Sequence, residues 1–334
     1  MSARCASKPV RLEPWSCIFR DLHLLGWPHG KLGCHSERSE ESIALFKADL
    51  ERSLSPTTFS GLYSVRFFGR SAPSEWQRGD WLPQNDKGRE WCSNMYQPRT
   101  YRCWIKDDDL VSFDVAVKET DLYIRAAGKL EAEAIEAVIR HRTPLEEYIK
   151  NHPLFLHSLE PCSVEEDAPA IVRDMAQAAR IAGVGPMAAV AGAIAEAVGK
   201  DLLAHTPEVI VENGGDIFIR VLRPRLIGVY AGESLFTGKI ALEINPEETP
   251  LGVCTSSGTV GHSLSLGAAD AVIAFSRSTA LADAAATAIG NRVGDAEDID
   301  VAVEQAQDIN GLAGILVIKG DRMGMWGSVK LVSL

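Results

Sequence analysis

VCTSSGTVGHSLSLGAADAVIAFSRSTALADAAATAIGNRV, residues 253–293, holds the two kinds of segment on which fold and chemistry turn. Its first part, Thr255 to Gly267, is a loop rich in glycine and hydroxyls. Its backbone N–H groups and Ser and Thr side chains suit a phosphate, although such loops also occur with no ligand. The second part places Asp283 and Thr287 four residues apart. On a helix, that spacing sends a carboxylate and a hydroxyl from one face beside a wall of alanines. The donor set is oxygen only. A hard cation such as Mg2+ takes one or two protein oxygens and completes its shell with water and substrate phosphate, which suits a nucleotide diphosphate. A carboxylate on a helix surface, with no ligand, is the plainer alternative for Asp283.

Two more glycine-containing signatures precede this stretch. GPMAAVAGAIAEAVGKDLL, residues 185–203, reads as a helix whose small residues Gly192, Ala193 and Ala195 admit a ligand or another backbone. Tight helix packing explains the same residues. VENGGDIFI, residues 211–219, ends a strand, turns through two glycines and starts the next strand at Asp216. A plain hairpin reads equally well there.

Around these signatures the chain from about Met95 onward is orderly. Residues 100–106 and 110–117 alternate about the turn Lys106 to Asp109, and Leu122 to Ala126 continues the pattern, as an antiparallel meander would. Helical periodicity covers Glu131 to Lys150, Ala168 to Ile181 and Pro186 to His205, with Pro186 where a first helical turn tolerates it. Strands are expected at Glu208 to Val211, Asp216 to Val221, Leu226 to Tyr230 and Lys239 to Ile244. Helices at Thr279 to Ile289 and Asp298 to Gln307, then strands at Leu312 to Lys319 and Val329 to Val332, close the chain. The expected class is α/β in the α+β sense, with mixed or antiparallel sheets packed by helices.

Residues 1–94 differ. They hold 13 Lys and Arg against 11 Asp and Glu, leaving 21 basic and 34 acidic residues downstream, so the acidic character belongs to the second part. Five of seven tryptophans and four of seven cysteines lie in this leader, with no sustained period of 2 or 3.6 around them. The run CHSERSEESI, Cys34 to Ile43, resembles a decapeptide produced when a repetitive intergenic DNA element is read as coding sequence. The expectation is therefore a non-native or disordered leader, a misassigned start codon, and a single domain over residues 95–334. A genuine regulatory leader is the alternative.

The chain of 334 residues, 46% hydrophobic, can bury a substantial core. A net charge of −11 disfavours a nucleic-acid partner, which needs concentrated basic surface. The sequence has no apolar run of the roughly 18 to 20 residues needed to cross a bilayer, and Arg20, Asp21 and His23 interrupt any signal core. The expectation is a cytoplasmic protein without a membrane partner. Seven cysteines without a CxxC suggest reduced thiols. Hydrophobic helices of this kind allow a homodimer.

The order of motifs resembles that of the ApbE superfamily, whose members transfer FMN from FAD onto a protein threonine. That family carries a GGIAKG helix, an NxGGD turn, an SSG loop and an ADAxxT helix. This chain shows GAIAEA at Gly192 to Ala197, ENGGD at Glu212 to Asp216, TSSG at Thr255 to Gly258 and ADAAAT at Ala282 to Thr287. The resemblance spans about residues 185–293 and implies an ApbE-like fold. It implies that Asp283 and Thr287 bind Mg2+, helped by a backbone carbonyl near Gly192 or Ala193. It further implies that Asn213, Gly214, Gly215 and Asp216, with Thr255, Ser256, Ser257 and Gly258, line a pocket for FAD or FMN. The acceptor would be a protein.

Three departures stand out. The family's Lys is Glu196 here, its His-Ile-x-Asp-Pro segment is replaced by GHSLSLG with His262, and its Met-Gly-Thr opening is missing. His262 is the catalytic candidate, with a structural histidine as the alternative. These features resemble a shorter cytoplasmic branch. Some members of that branch are associated with forming homocysteine from aspartate semialdehyde and sulfide beside iron–sulfur partner proteins. Under that alternative, Cys254 or Cys103 would handle sulfide, although Cys254 lies in an apolar run that suits a buried, inert thiol. A third reading is a flavin-binding protein without catalysis.

Overall fold

Eight strands form one antiparallel sheet, and a smaller sheet covers one of its faces. The computed structural model describes residues 62–65, 109–260 and 265–334. Within them, β1 (Leu62–Val65) is followed by β2 (Val111–Val117), β3 (Thr120–Ala126), α1 (Glu131–Asn151), α2 (Pro153–His157) and α3 (Ala170–Ala182). A 3-10 turn, Pro186–Ala189, leads into α4 (Val190–Leu202). Strands β4 (Val209–Asn213), β5 (Asp216–Arg220), β6 (Arg225–Val229), β7 (Ile240–Ile244), β8 (Leu251–Ser256) and β9 (Ala271–Ser276) come next. The chain then runs through α5 (Thr279–Gly290), α6 (Ile299–Ala306), β10 (Leu312–Lys319), β11 (Arg322–Gly327) and β12 (Leu331–Ser333). The large sheet has the order β11-β10-β9-β8-β5-β4-β3-β2, and the small one β1-β6-β7-β12. β1 lies parallel to β6.

Period-two alternation sends successive side chains of each central strand into different layers. Ile217 and Ile219 pack with Ile227 and Leu242 of the small sheet, as do Val253, Ile273, Phe275, Leu316 and Ile318. The residues between them face helices: Phe218 joins α4, while Cys254, Val272, Ala274, Ile315 and Val317 join α5 and α6. Each fully buried Ile, Leu or Phe contributes about 1.5–3 kcal/mol relative to exposure, so two continuous apolar layers hold the central sheet.

The expected elements from residue 110 to 332 are present; the short helix α2 is an addition to them, and three further differences follow. The helix expected from Pro186 to His205 opens as a 3-10 turn and becomes α-helical only at Val190, a common way for a helix to begin. β8 and β9 were not expected, because LGVCTS and AVIAFS are buried on both sides and show no alternation. β11, RMGMWG, is broken by glycines at every third position and also went unread.

The expected strand at 100–106, the proposed start near Met95 and the leader, apart from residues 62–65, lie outside the described residues. Among the described residues no single helix is long and apolar enough to cross a membrane. The pair Ala170–Ala182 and Pro186–Leu202 passes that test only jointly, across a bend of 106°. Both of its helices bury their apolar residues in the core.

Candidate functional site

The four signatures meet at one end of the large sheet, where α4 and α5 cross over strands β5 and β8. The turn between β4 and β5 sets the first side. Gly214 and Gly215 have φ of 67° and 107°, a left-handed pair that a two-residue hairpin requires and that glycine adopts without strain. Asn213 and Asp216 face each other across this turn. Asn213 Nδ2 donates to the Ala191 carbonyl at 3.1 Å, which ties the hairpin to the first turn of α4. Asp216 is buried and sits opposite Cys254 in the β5–β8 register.

Cys254 is fully buried, and its thiol donates to the Thr279 carbonyl at 3.3 Å. Burial pushes this thiol's pKa well up, and the nearby Asp216 and Asp283 carboxylates push the same way. A buried, protonated thiol is a poor nucleophile, so Cys254 acts as packing. Cys103, the other thiol considered for sulfide chemistry, lies outside the described residues.

Asp283 and Thr287 lie one turn apart on α5, as their spacing requires. Asp283 is 4% exposed and Thr287 is half-buried. Asp283 Oδ2 accepts the Gly192 N–H at 2.8 Å. That N–H belongs to the first turn of α4, whose leading amides have no partner within the helix, so Asp283 serves as its cap from another element. The approach is close. A Cβ on Gly192 would overlap the Thr279 carbonyl oxygen and come within 2.8 Å of the Asp283 Cβ. Ala193, beside it, is buried in the helical core.

Glu196 returns the arrangement. Its Oε2 accepts Thr279 N–H at 2.7 Å and Ala280 N–H at 3.4 Å, the leading amides of α5. Ser278 Oγ takes the next one, from Leu281, at 3.3 Å. Glu196 Oε1 pairs with Lys200 at 2.7 Å. The Glu196 carboxylate is thus placed at the positive end of α5, with its side chain 14% exposed. Nothing in the residue type alone announced this role. The four-residue spacing from Gly192 places both residues on one helix face but does not reveal the partners on α5.

The hydroxyl-rich loop closes the third side. Ser257 Oγ accepts the N–H groups of Thr259 and Val260 at 3.1 and 3.0 Å, and Gly258 N–H donates to the Ala269 carbonyl at 2.8 Å. In this conformation those amides serve the loop itself. Ser256 faces Gly290 at the end of α5, with its Oγ 3.5 Å from where a Cβ would stand. Thr255 is buried with its hydroxyl unpartnered among the described residues.

Two further residues, missed in the sequence, fix the loop. Asp270 accepts Thr259 Oγ1 at 2.9 Å, Lys319 Nζ at 3.4 Å and Gly320 N–H at 2.6 Å. Asn291 Oδ1 accepts Leu266 N–H at 2.9 Å. Asp270 stands just before the β9 run that carries no alternation, which hid it. His262 lies in residues 261–264, outside the described residues.

The site therefore gathers Asn213, Asp216, Asp283, Thr287 and the end of β8 around the start of α4. Among the described residues no three His, Cys, Asp or Glu side chains converge as a metal-binding group.

The sequence profile of the family described as AbpE bacteria matches residues 102–317. A UPF0280 protein of Methanocaldococcus jannaschii is 47% identical over 221 residues, spanning 64% of this chain and 90% of that protein. A UPF0280 protein of Methanosarcina acetivorans is 44% identical over 220 residues, spanning 65% and 87%. Among solved structures, an ApbE protein of Thermotoga maritima aligns with a TM-score of 0.47 at 12% identity, over 64% of this chain and 96% of its own. The flavinyl transferase ApbE of Pseudomonas stutzeri gives 0.44 at 14%, over 65% and 93%. Both structural likenesses are distant.

Proposed function

The chain belongs to the AbpE bacteria family, and from that membership and the geometry of α5 we propose that it binds FAD or FMN with Mg2+ and transfers FMN to a protein. The observation that carries this reading is the pair Asp283 and Thr287 on one face of α5, with Asp283 oriented by the Gly192 N–H. Asp283 and Thr287 would hold the cation, with a carbonyl near Gly192 or Ala193. Bound there, the cation would act as a Lewis acid on the pyrophosphate of FAD.

The remaining roles fall to the chain's own groups. Asn213 and the Gly214–Gly215 turn would place the nucleotide against the start of α4. Ser256 would offer a hydroxyl to a phosphate, and Thr255 one that has no other use within the described residues. Balanced, the transfer breaks the phosphoanhydride of FAD, forms a phosphoester on an acceptor hydroxyl and releases AMP with the hydroxyl's proton.

The test is calorimetry of FAD binding by the full chain with and without Mg2+, followed by assay of AMP release in the presence of candidate acceptor peptides. Mg2+-dependent binding and AMP release are expected. A folded protein that binds no FAD under either condition would contradict the reading.

A further inference from the structure

We propose that Glu196 is a positioning residue that sets the cation-binding face of α5 by holding that helix's backbone, without touching a ligand. The inference rests on the flavin and Mg2+ reading above. Its basis is a reciprocal clasp: Gly192 and Glu196 are one turn apart on α4, and Thr279 and Asp283 are one turn apart on α5. Each helix supplies one carboxylate to the first-turn amides of the other, Asp283 to Gly192 and Glu196 to Thr279 and Ala280.

The geometry makes the pair a register lock. A helix rises about 1.5 Å per residue, so sliding α5 along α4 by one residue would break both contacts together. Both carboxylates stand at helix N-termini, where the aligned peptide dipoles favour negative charge. Lys200 offsets the Glu196 charge on the outer side. A lysine at position 196 would supply no acceptor for the Thr279 and Ala280 amides. In this chain the position therefore serves the helix that carries Asp283 and Thr287, and it fixes where their oxygens converge.

The experiment is a titration of Mg2+ into full-length protein with FAD present, for wild type, Glu196→Ala, Glu196→Gln and Glu196→Asp. Thermal melting is recorded for each. Removing a partner that orients a metal ligand typically costs about 10-fold to 100-fold in metal affinity, and about 10-fold weaker Mg2+ binding is expected for Glu196→Ala. Glu196→Gln keeps a carbonyl for the Thr279 amide and should bind within about 3-fold of wild type on the same reasoning. Glu196→Asp keeps the charge but falls short of the amide, and should behave like the alanine variant. It carries the comparison if Glu196→Ala does not fold.

A lower melting temperature with an unchanged Mg2+ midpoint in the Ala and Asp variants would overturn the proposal in favour of a purely structural cap. So would a Gln variant as impaired as the others. If wild type itself shows no Mg2+-dependent FAD binding, the functional reading and this proposal fall together, a failure seen before any substitution is compared.

Discussion

The two faces of the large sheet are built from the same strands and to opposite ends. Between the sheets, Ile217, Val253, Ile273 and Leu316 form a layer of hydrocarbon. One residue along, on the helical face, the same strands present Asp216, Cys254 and small side chains beneath the crossing of α4 and α5. The first face gains free energy simply by excluding water. The second spends buried area on carboxylates that must be matched by N–H groups, because an unmatched buried polar group costs about 1–3 kcal/mol. Hydrocarbon packing and hydrogen-bonded buried carboxylates are separated by a single step along a strand.

The largest effect expected lies at the edge of the inter-sheet layer. Arg225 is fully buried between Asp109, which it meets through two nitrogens at 3.0 and 2.6 Å, and Glu208 at 3.1 Å. Arg225→Ala would remove the main partner of both carboxylates, leaving Asp109 with Arg223 at 3.3 Å and Glu208 with the Leu222 N–H at 3.4 Å, and should cost about 3–5 kcal/mol in urea unfolding. The hydrogen bonds from Arg225 hold the Asp109 carboxyl below its ordinary value of 3.8. Because this carboxyl binds its proton less readily folded than unfolded, its contribution is present above pH about 4. It is lost as pH falls through the lowered value. Unfolding curves from pH 6 down to pH 2 should show that loss in wild type and less of it in Arg225→Ala.

A smaller loss, about 2–4 kcal/mol, is expected from Ile273→Ala within the hydrocarbon layer, measured the same way. Ligand binding at the other face should survive it. The smallest effect concerns Cys254: iodoacetamide followed by mass mapping should leave it unmodified in the native protein and label it after denaturation. Rapid native labelling would reopen the sulfide reading.

Much of this was legible in the sequence for a definite reason. Elements with one wet face, such as α1 with its acidic outer positions and the β2–β3 meander, print their period in the residue pattern. The double glycine of the hairpin and the Asp283 to Thr287 spacing did likewise, since a turn and a helix face are local. β8 and β9 were silent because both of their faces are dry, which removes the alternation a half-exposed strand shows. The role of Glu196 was silent because the residues it bonds are more than 80 positions away. Its partners at Thr279 and Ala280 are brought to it only by the crossing of two helices.

Asp283→Asn beside Ile273→Ala asks whether one face of the sheet carries stability and the other binding. The asparagine keeps an oxygen for the Gly192 amide while removing the charge a cation needs. Mg2+-dependent FAD binding, measured by calorimetry on samples with known melting temperatures, should vanish in Asp283→Asn with little change in melting. Ile273→Ala should melt markedly lower and still bind. Binding in Asp283→Asn equal to wild type would contradict the account.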